Sequence, residues 1–218
     1  MAPVVFDAMN VLALDTASPM PAVAVATERG DWEERLPLDR RASEELLAAI
    51  GRVLEAAGTE LSACGRIAAC SGPGSFTGTR VGLATAWGLG RALGIPVEPV
   101  PTLEALADSA RASGIAEILT ALDAGRGEVL VQVFSVGEER AQPISVAERL
   151  PLAQAAARLA TVRFAVSLPE DLLGLRGRIR ESPARAMARA VARAPREPSD
   201  PRALYARASA AEEKRGAP

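Results

Sequence analysis

Residues 71–80 read Ser-Gly-Pro-Gly-Ser-Phe-Thr-Gly-Thr-Arg. They fall where a short apolar run, Ile67-Ala68-Ala69-Cys70, hands over to an apolar-periodic stretch from Val81 to Leu93. That order predicts a strand, a glycine turn and a helix, with Gly94 and Pro96 as the stop. Gly72, Gly74 and Gly78 allow positive φ and close backbone approach, and Thr77 or Thr79 suits the helix cap. Free N–H groups at such a helix start can hold an anion, so the turn is a candidate phosphate cradle. Two carboxylates offer further chemistry. Asp15 closes the run Leu12-Ala13-Leu14 and is followed by Thr16, while Asp123 closes Ala121-Leu122 and is followed by Ala124.

The remaining catalytic repertoire is thin. The chain has no histidine, which removes Ser-His-Asp and Cys-His catalysis and any His-ligated zinc or iron. Its single lysine, Lys214, lies four residues from the C-terminus, so neither a P-loop nor a Schiff-base lysine is available. Cys64 and Cys70 form no CxxC pair and read as buried thiols of a reducing compartment. A dinucleotide fingerprint also fails. Gly72 and Gly74 fit it, but Gly78 arrives one residue late, and the acid Glu98 sits among Pro96, Pro99 and Pro101, which suit a central parallel strand poorly. No catalytic residue and no metal site is assigned, and the absences favour a non-enzyme.

The elements that must carry these groups come twice. Val11 to Thr27 reads as a strand ending in Asp15, a tight connection through Ser18-Pro19-Met20-Pro21, and an alternating strand from Ala22. Ile118 to Phe134 repeats the plan, with Gly125-Arg126-Gly127 as its turn. A third strand is expected from Trp32 to Leu36, and a helix from Glu44 to Ala57. Ser43 caps that helix, Glu44 and Glu45 suit its positive end, and Gly58 stops it. The first half therefore reads β-β-β-α-β-α. The halves meet near residues 95–101, where three prolines preclude a helix; Thr102 then caps another. The expected domains are 1–100, an N-terminal lobe, and 101–218, a C-terminal lobe with a basic, partly loose tail. In the second, Pro151 to Leu159 and Pro183 to Ala194 are predicted helices, and Phe164 to Ser167 a strand.

Two surfaces stand out. On the helix from Phe76 to Leu93, Gly78, Gly82, Ala86 and Gly90 recur every four residues as one ridge of minimal side chains. Glycine inside a helix costs roughly 1 kcal/mol relative to alanine, so Gly82, Gly88 and Gly90 imply something pressed against this helix. Either the protein's own sheet or a partner's helices would do. The first helix offers an apolar stripe of Leu46, Leu47, Ile50, Val53, Leu54 and Ala57. Residues 176–218 hold eleven of the 25 basic residues and five of the 27 acids, a net of +6. Within them, Arg185, Arg189 and Arg193 line one helix face. Such a stripe either follows a phosphate backbone, as in tRNA contact, or is a solvated face paired with local acids. With 3% aromatics, base-stacking platforms are lacking. Hydrophobic content of 49% and mean hydropathy of +0.12 fit a compact fold. No apolar run approaches the roughly 18 residues of a membrane span, and no signal peptide opens the chain.

The stretch Ser71-Gly72-Pro73-Gly74-Ser75-Phe76-Thr77-Gly78 closely resembles the bacterial tRNA threonylcarbamoyladenosine biosynthesis protein family TsaB, also called YeaZ. Leu12 to Ala17, Ala121 to Ala124 with Gly127-Glu128-Val129, and Leu204-Tyr205-Ala206-Arg207 are similar to further family features. The likeness is strong from Met9 to Phe134 and weak beyond, and residues 1–8 read as an extension or a misplaced start. The paired hairpins resemble the duplicated actin/sugar-kinase/heat-shock ATPase (ribonuclease H-like) α/β fold, two lobes of mixed sheets flanked by helices. In that superfold such hairpins clasp ATP phosphates and their Asp residues organise magnesium. Here Ala124 in place of a threonine points to vestigial sites at Asp15, Thr16 and Asp123, with no cofactor or only weak ATP/ADP binding. The resemblance implies a cytoplasmic, non-catalytic subunit of the complex that forms N6-threonylcarbamoyladenosine at position 37 of tRNAs decoding ANN codons. Its implied partners are the TsaD transferase, the TsaE ATPase and tRNA, with a homodimer when alone. It also implies that helices 44–57 and 76–93 are the association surface, through Leu46, Leu47, Ile50, Leu54, Gly78, Gly82, Ala86 and Gly90. The family commonly carries His-Ser-Glu where this chain has Ala42-Ser43-Glu44. The alternatives are a degenerate nucleotide-binding ATPase-like protein, or a metal-free member of the related peptidase-like family, whose His-x-x-x-His motif this chain cannot supply.

Overall fold

The computed structural model describes residues 9–38, 41–109, 115–159, 164–169, 172 and 182–197. The Leu204–Arg207 signature, Lys214 and residues 1–8 lie outside them. Five strands form the first sheet: β1 (Val11–Asp15), β2 (Ala22–Thr27), β3 (Gly30–Arg35), β4 (Arg66–Cys70) and β5 (Val97–Val100), in the order β3-β2-β1-β4-β5. β2 and β3 run antiparallel to their neighbours, while β4 and β5 are parallel to β1. Helices α1 (Arg41–Ala57) and α2 (Phe76–Leu93) connect β3 to β4 and β4 to β5.

Period-2 alternation sorts each central strand between two cores. Leu12, Leu14, Val23, Val25 and Ile67 face Leu46, Ile50, Val53, Leu54 and Leu83 of α1 and α2. Val11, Ala13, Ala22, Ala24 and Ala68 face the other way, onto Ala184, Met187, Ala188 and Val191 of α5 (Pro183–Arg193). The second face is rich in alanine on both sides, with Val11, Met187 and Val191 as its larger side chains, so α5 sits close to the sheet. Each fully buried leucine contributes about 1.5–3 kcal/mol.

The second sheet repeats the plan. Its centre is β6 (Glu117–Gly125), paired antiparallel with β7 (Glu128–Val136) and parallel with β10 (Ala165–Leu168); β8 (Ala141–Pro143) and β9 (Glu148–Pro151) both pair with β7. β6 thus stands as β1 does, with an antiparallel partner on one side and a parallel one on the other. α4 (Leu152–Leu159) covers one face, through Ala155 against Leu119, Ala121, Val129 and Val131. α3 (Thr102–Ser109), buried at all eight positions, covers the other and also touches α5. The architecture is the duplicated, ribonuclease H-like α/β fold of the actin/sugar-kinase/heat-shock ATPase class.

Three local expectations are corrected. α1 begins at Arg41, so Ser43 lies inside the helix and not at its cap. The cap of α2 is Ser75, whose hydroxyl accepts from the Gly78 N–H at 3.1 Å, while Thr79 donates its hydroxyl to the Ser75 carbonyl at 2.8 Å. Residues 97–100, read as a proline-interrupted junction, form a strand. β5 tolerates Pro99 because it lies at the end of the sheet, where a missing donor is affordable.

Candidate functional site

A cleft of about 1090 Å³ opens between the halves at the C-terminal ends of β1, β4 and β6. The β1–β2 connection (Thr16, Ser18, Pro19), the glycine turn (Gly74, Ser75) and Asp123 line it. The structure therefore brings together the sequence motif and both Asp-bearing hairpins. Asp15 and Thr16 are engaged by their own chain, whereas Asp123 is exposed.

Asp15 is fully buried. Its carboxylate accepts from the Ala17 N–H and the Ser18 N–H, both at 3.0 Å, and from the Ser18 hydroxyl at 2.5 Å. Burial raises its pKa, partly offset by the Ser18 and Ala17 hydrogen bonds. The neighbouring Cys70 thiol is raised well above its ordinary value by burial and by the Asp15 charge, and burial lifts Cys64 to about 11. Thr16, also buried, donates its hydroxyl to the Gly78 carbonyl at 2.6 Å. Asp123 is exposed and accepts from the Gly125 N–H at 2.7 Å. In this structure the Asp15 and Thr16 side chains fasten the hairpin to itself and to α2. Among the described residues, no three Cys, Asp or Glu side chains converge to hold a metal ion.

The glycines serve the same fastening. A Cβ at Gly74 would lie 2.1 Å from the Ala17 carbonyl oxygen, and one at Gly78 would lie 1.8 Å from that of Thr16. These positions are bare because the β1–β2 turn lies directly on the start of α2, with the Ser75 N–H donating to the Ala17 carbonyl at 2.8 Å.

Asp15 supplies a prediction with a definite sign. Its folded pKa lies above the ordinary aspartate value because of burial, so its stabilising contribution is complete below that ordinary value and is lost as pH rises through the folded pKa. Asp15→Asn keeps the acceptor and removes the charge. The stability of the native protein relative to Asp15→Asn should therefore fall as pH rises from about 4, read by urea denaturation across pH. Asp15→Ala leaves two buried N–H groups without acceptors and should cost about 1–3 kcal/mol. A difference that does not vary with pH would contradict the burial argument.

The proposed association residues separate sharply. Leu46, Ile50 and Leu54 of α1, and Gly82, Ala86 and Gly90 of α2, are buried in the protein's own core. A Cβ at Gly82 would meet Thr16 Oγ1 at 2.4 Å, and one at Gly90 the Ile95 carbonyl at 2.6 Å. Gly78 lies against Thr16. The small-residue ridge is thus an intramolecular contact, and of the eight named residues only Leu47, 63% exposed, faces outward. The outward face holds Leu47, Gly51 and Glu55 of α1 with Phe76, Arg80 and Gly88 of α2. Arg80 stacks on the Phe76 ring at 3.7 Å, and a Cβ at Gly51 or Gly88 would meet nothing within 4 Å. A glycine on the polar side of the periodic pattern was the available signal for this face, and Gly51 carries it.

The arginine stripe is engaged by its own chain. Arg185 pairs with Asp31 and donates to its carbonyl at 3.2 Å, Arg189 lies 3.7 Å from the same carboxylate, and Arg193 donates to the Glu139 carbonyl at 3.1 Å. The stripe pins α5 to its surroundings. No helix among the described residues is long and apolar enough to cross a membrane.

The family model described as "TsaD: tRNA N6-adenosine threonylcarbamoyltransferase" matches residues 38–171. The tRNA threonylcarbamoyladenosine biosynthesis protein TsaB of Escherichia coli is 36% identical over 123 residues, 56% of this chain and 53% of that protein. The protein of the same name from Bacillus subtilis is 30% identical over 128 residues, 58% and 55% of the two chains. The chain thus spans about half the length of the curated relatives it matches. The solved structure of YeaZ from Pseudomonas aeruginosa superposes with a TM-score of 0.61 at 32% identity, covering 66% of this chain and 68% of that one. With the YeaZ structure 32% identical and covered to 68%, the chain belongs to the TsaB/YeaZ family.

Proposed function

We propose that this protein is a non-catalytic subunit of the assembly that forms N6-threonylcarbamoyladenosine at position 37 of tRNAs decoding ANN codons. In this reading it docks a TsaD transferase through the outward face of α1 and α2. Family membership supports the pathway. The observation that carries the docking surface is the pair Gly51 and Gly88, two helix-interior glycines whose added Cβ would meet nothing within 4 Å among the described residues. Each costs roughly 1 kcal/mol of helix stability, a cost that a close-packed partner helix would explain. The face also bears opposite charges, Glu44 and Glu55 on α1 against Arg80 and Arg91 on α2. That arrangement suits a second copy in a homodimer as well as a paralogue. TsaE and tRNA would join through the complex.

Gly51→Arg and Gly88→Arg test the reading. Both should fold, by circular dichroism and melting, and both should lose co-purification of a TsaD homologue and support of tRNA modification. Folded variants that retain TsaD would refute the docking face. The engagement of Asp15 also argues against a working ATPase. MgATP is expected to bind with a Kd of about 1 mM at best, roughly −4 kcal/mol. Titration calorimetry reads this directly, and micromolar binding would restore the nucleotide reading.

A further inference from the structure

Between the two sheets lies a buried ionic cluster that the family reading does not use. Arg140, just before β8 in the second sheet, is almost fully buried and pairs with Glu98 of β5 and, at 2.8 Å, with Glu104 of α3. Burial works against its charge, but the two carboxylates hold its pKa above the usual arginine value. The chain leaving α5 threads through this cluster. Arg140 donates to the Ala194 carbonyl at 3.2 Å, and the Arg196 N–H donates to Glu98 Oε2 at 3.0 Å. The Arg196 guanidinium reaches Glu104 at 2.9 Å, and Arg66, the first residue of β4, donates to the Arg196 carbonyl. Arg193 closes the loop on the Glu139 carbonyl.

Residues 193–196 thus touch β4 and β5 of the first sheet, α3 between the sheets, and the turn before β8 of the second. The geometry points to a strap: residues 193–196 and Arg140 fix the angle between the two halves and thereby set the width of the cleft between them. Buried ion clusters are poor sources of net stability but fix one arrangement against others, because any displacement leaves a charge unpaired. The cleft walls belong to different halves, with Thr77 on the first and Asp123 on the second.

The test is a distance distribution across the cleft. Spin labels at Thr77→Cys and Asp123→Cys report its width, and native Cys64 and Cys70 are buried from the label. Double electron–electron resonance should give one narrow distribution in the otherwise unaltered chain. Arg196→Ala, a half-exposed position whose loss leaves the core intact, should broaden it and shift it to longer distances. Arg140→Met should do so further, with Arg196→Ala deciding the matter should Arg140→Met not fold. An unchanged distribution in folded Arg196→Ala overturns the strap, even where its melting point falls, since stability alone is then all the cluster provides. The readout needs neither TsaD nor tRNA, so it stands or falls separately from the proposed function.

Discussion

Arg140→Met is expected to destabilise the protein by about 3–5 kcal/mol, the range for breaking a buried ion pair by removing one partner. The reason is the state of what remains. Glu98 and Glu104 are 2% exposed, so the variant leaves two carboxylates in the interior with their central cation gone. Arg66 and Arg196 stay in contact with them but are bound to other segments and would not fill the gap. Against a typical domain stability of 5–15 kcal/mol, such a loss shows as a large drop in the urea midpoint. Arg52→Ala, which breaks exposed pairs with Glu34 and Glu45, should leave the midpoint nearly unchanged. Equal effects from the two substitutions would mean that burial of the Arg140 cluster is not what matters.

Gly78→Ala is expected to cost about 3 kcal/mol or more, although alanine is the better helix former. Its Cβ would lie 1.8 Å from the Thr16 carbonyl oxygen and 2.9 Å from the carbonyl carbon. Both are backbone atoms, held in turn by the Thr16 hydroxyl on Gly78 itself. Relief requires moving the β1–β2 turn off α2, with the Asp15 hydrogen bonds that shape it. Gly88→Ala on the same helix meets nothing and should stabilise the isolated chain by about 1 kcal/mol. Opposite signs in thermal melts of these two variants are the expected result. A stabilising Gly78→Ala would disprove the close approach.

Much of this architecture was legible because it rests on local rules. The two strand–Asp–turn repeats, the glycine stop at Gly94 and, apart from exposed Leu47, the apolar stripe of α1 fell where periodicity and capping chemistry placed them. The site was less legible because its meaning depends on what lies opposite. Gly82 and Gly88 look alike in sequence, yet one faces Thr16 and the other open space. The Arg185–Arg189–Arg193 stripe was readable as a stripe, but its acid partner Asp31 lies 154 residues from Arg185. The Arg140 cluster was invisible for the same reason, since a lone arginine in a turn gives no local sign of burial.

The rims of the first sheet bear on how the molecule meets its own kind. One outermost strand, β3, displays Asp31, Glu33, Glu34 and Arg35, and the other, β5, contains Pro99 and is flanked by Pro96 and Pro101. Charged side chains and missing N–H donors both discourage a foreign strand from extending a sheet. Cross-strand polymerisation is thereby blunted on both sides, while the outward face of α1 and α2 is exposed among the described residues. Crowded copies of this protein should consequently form discrete, reversible oligomers and not fibrils.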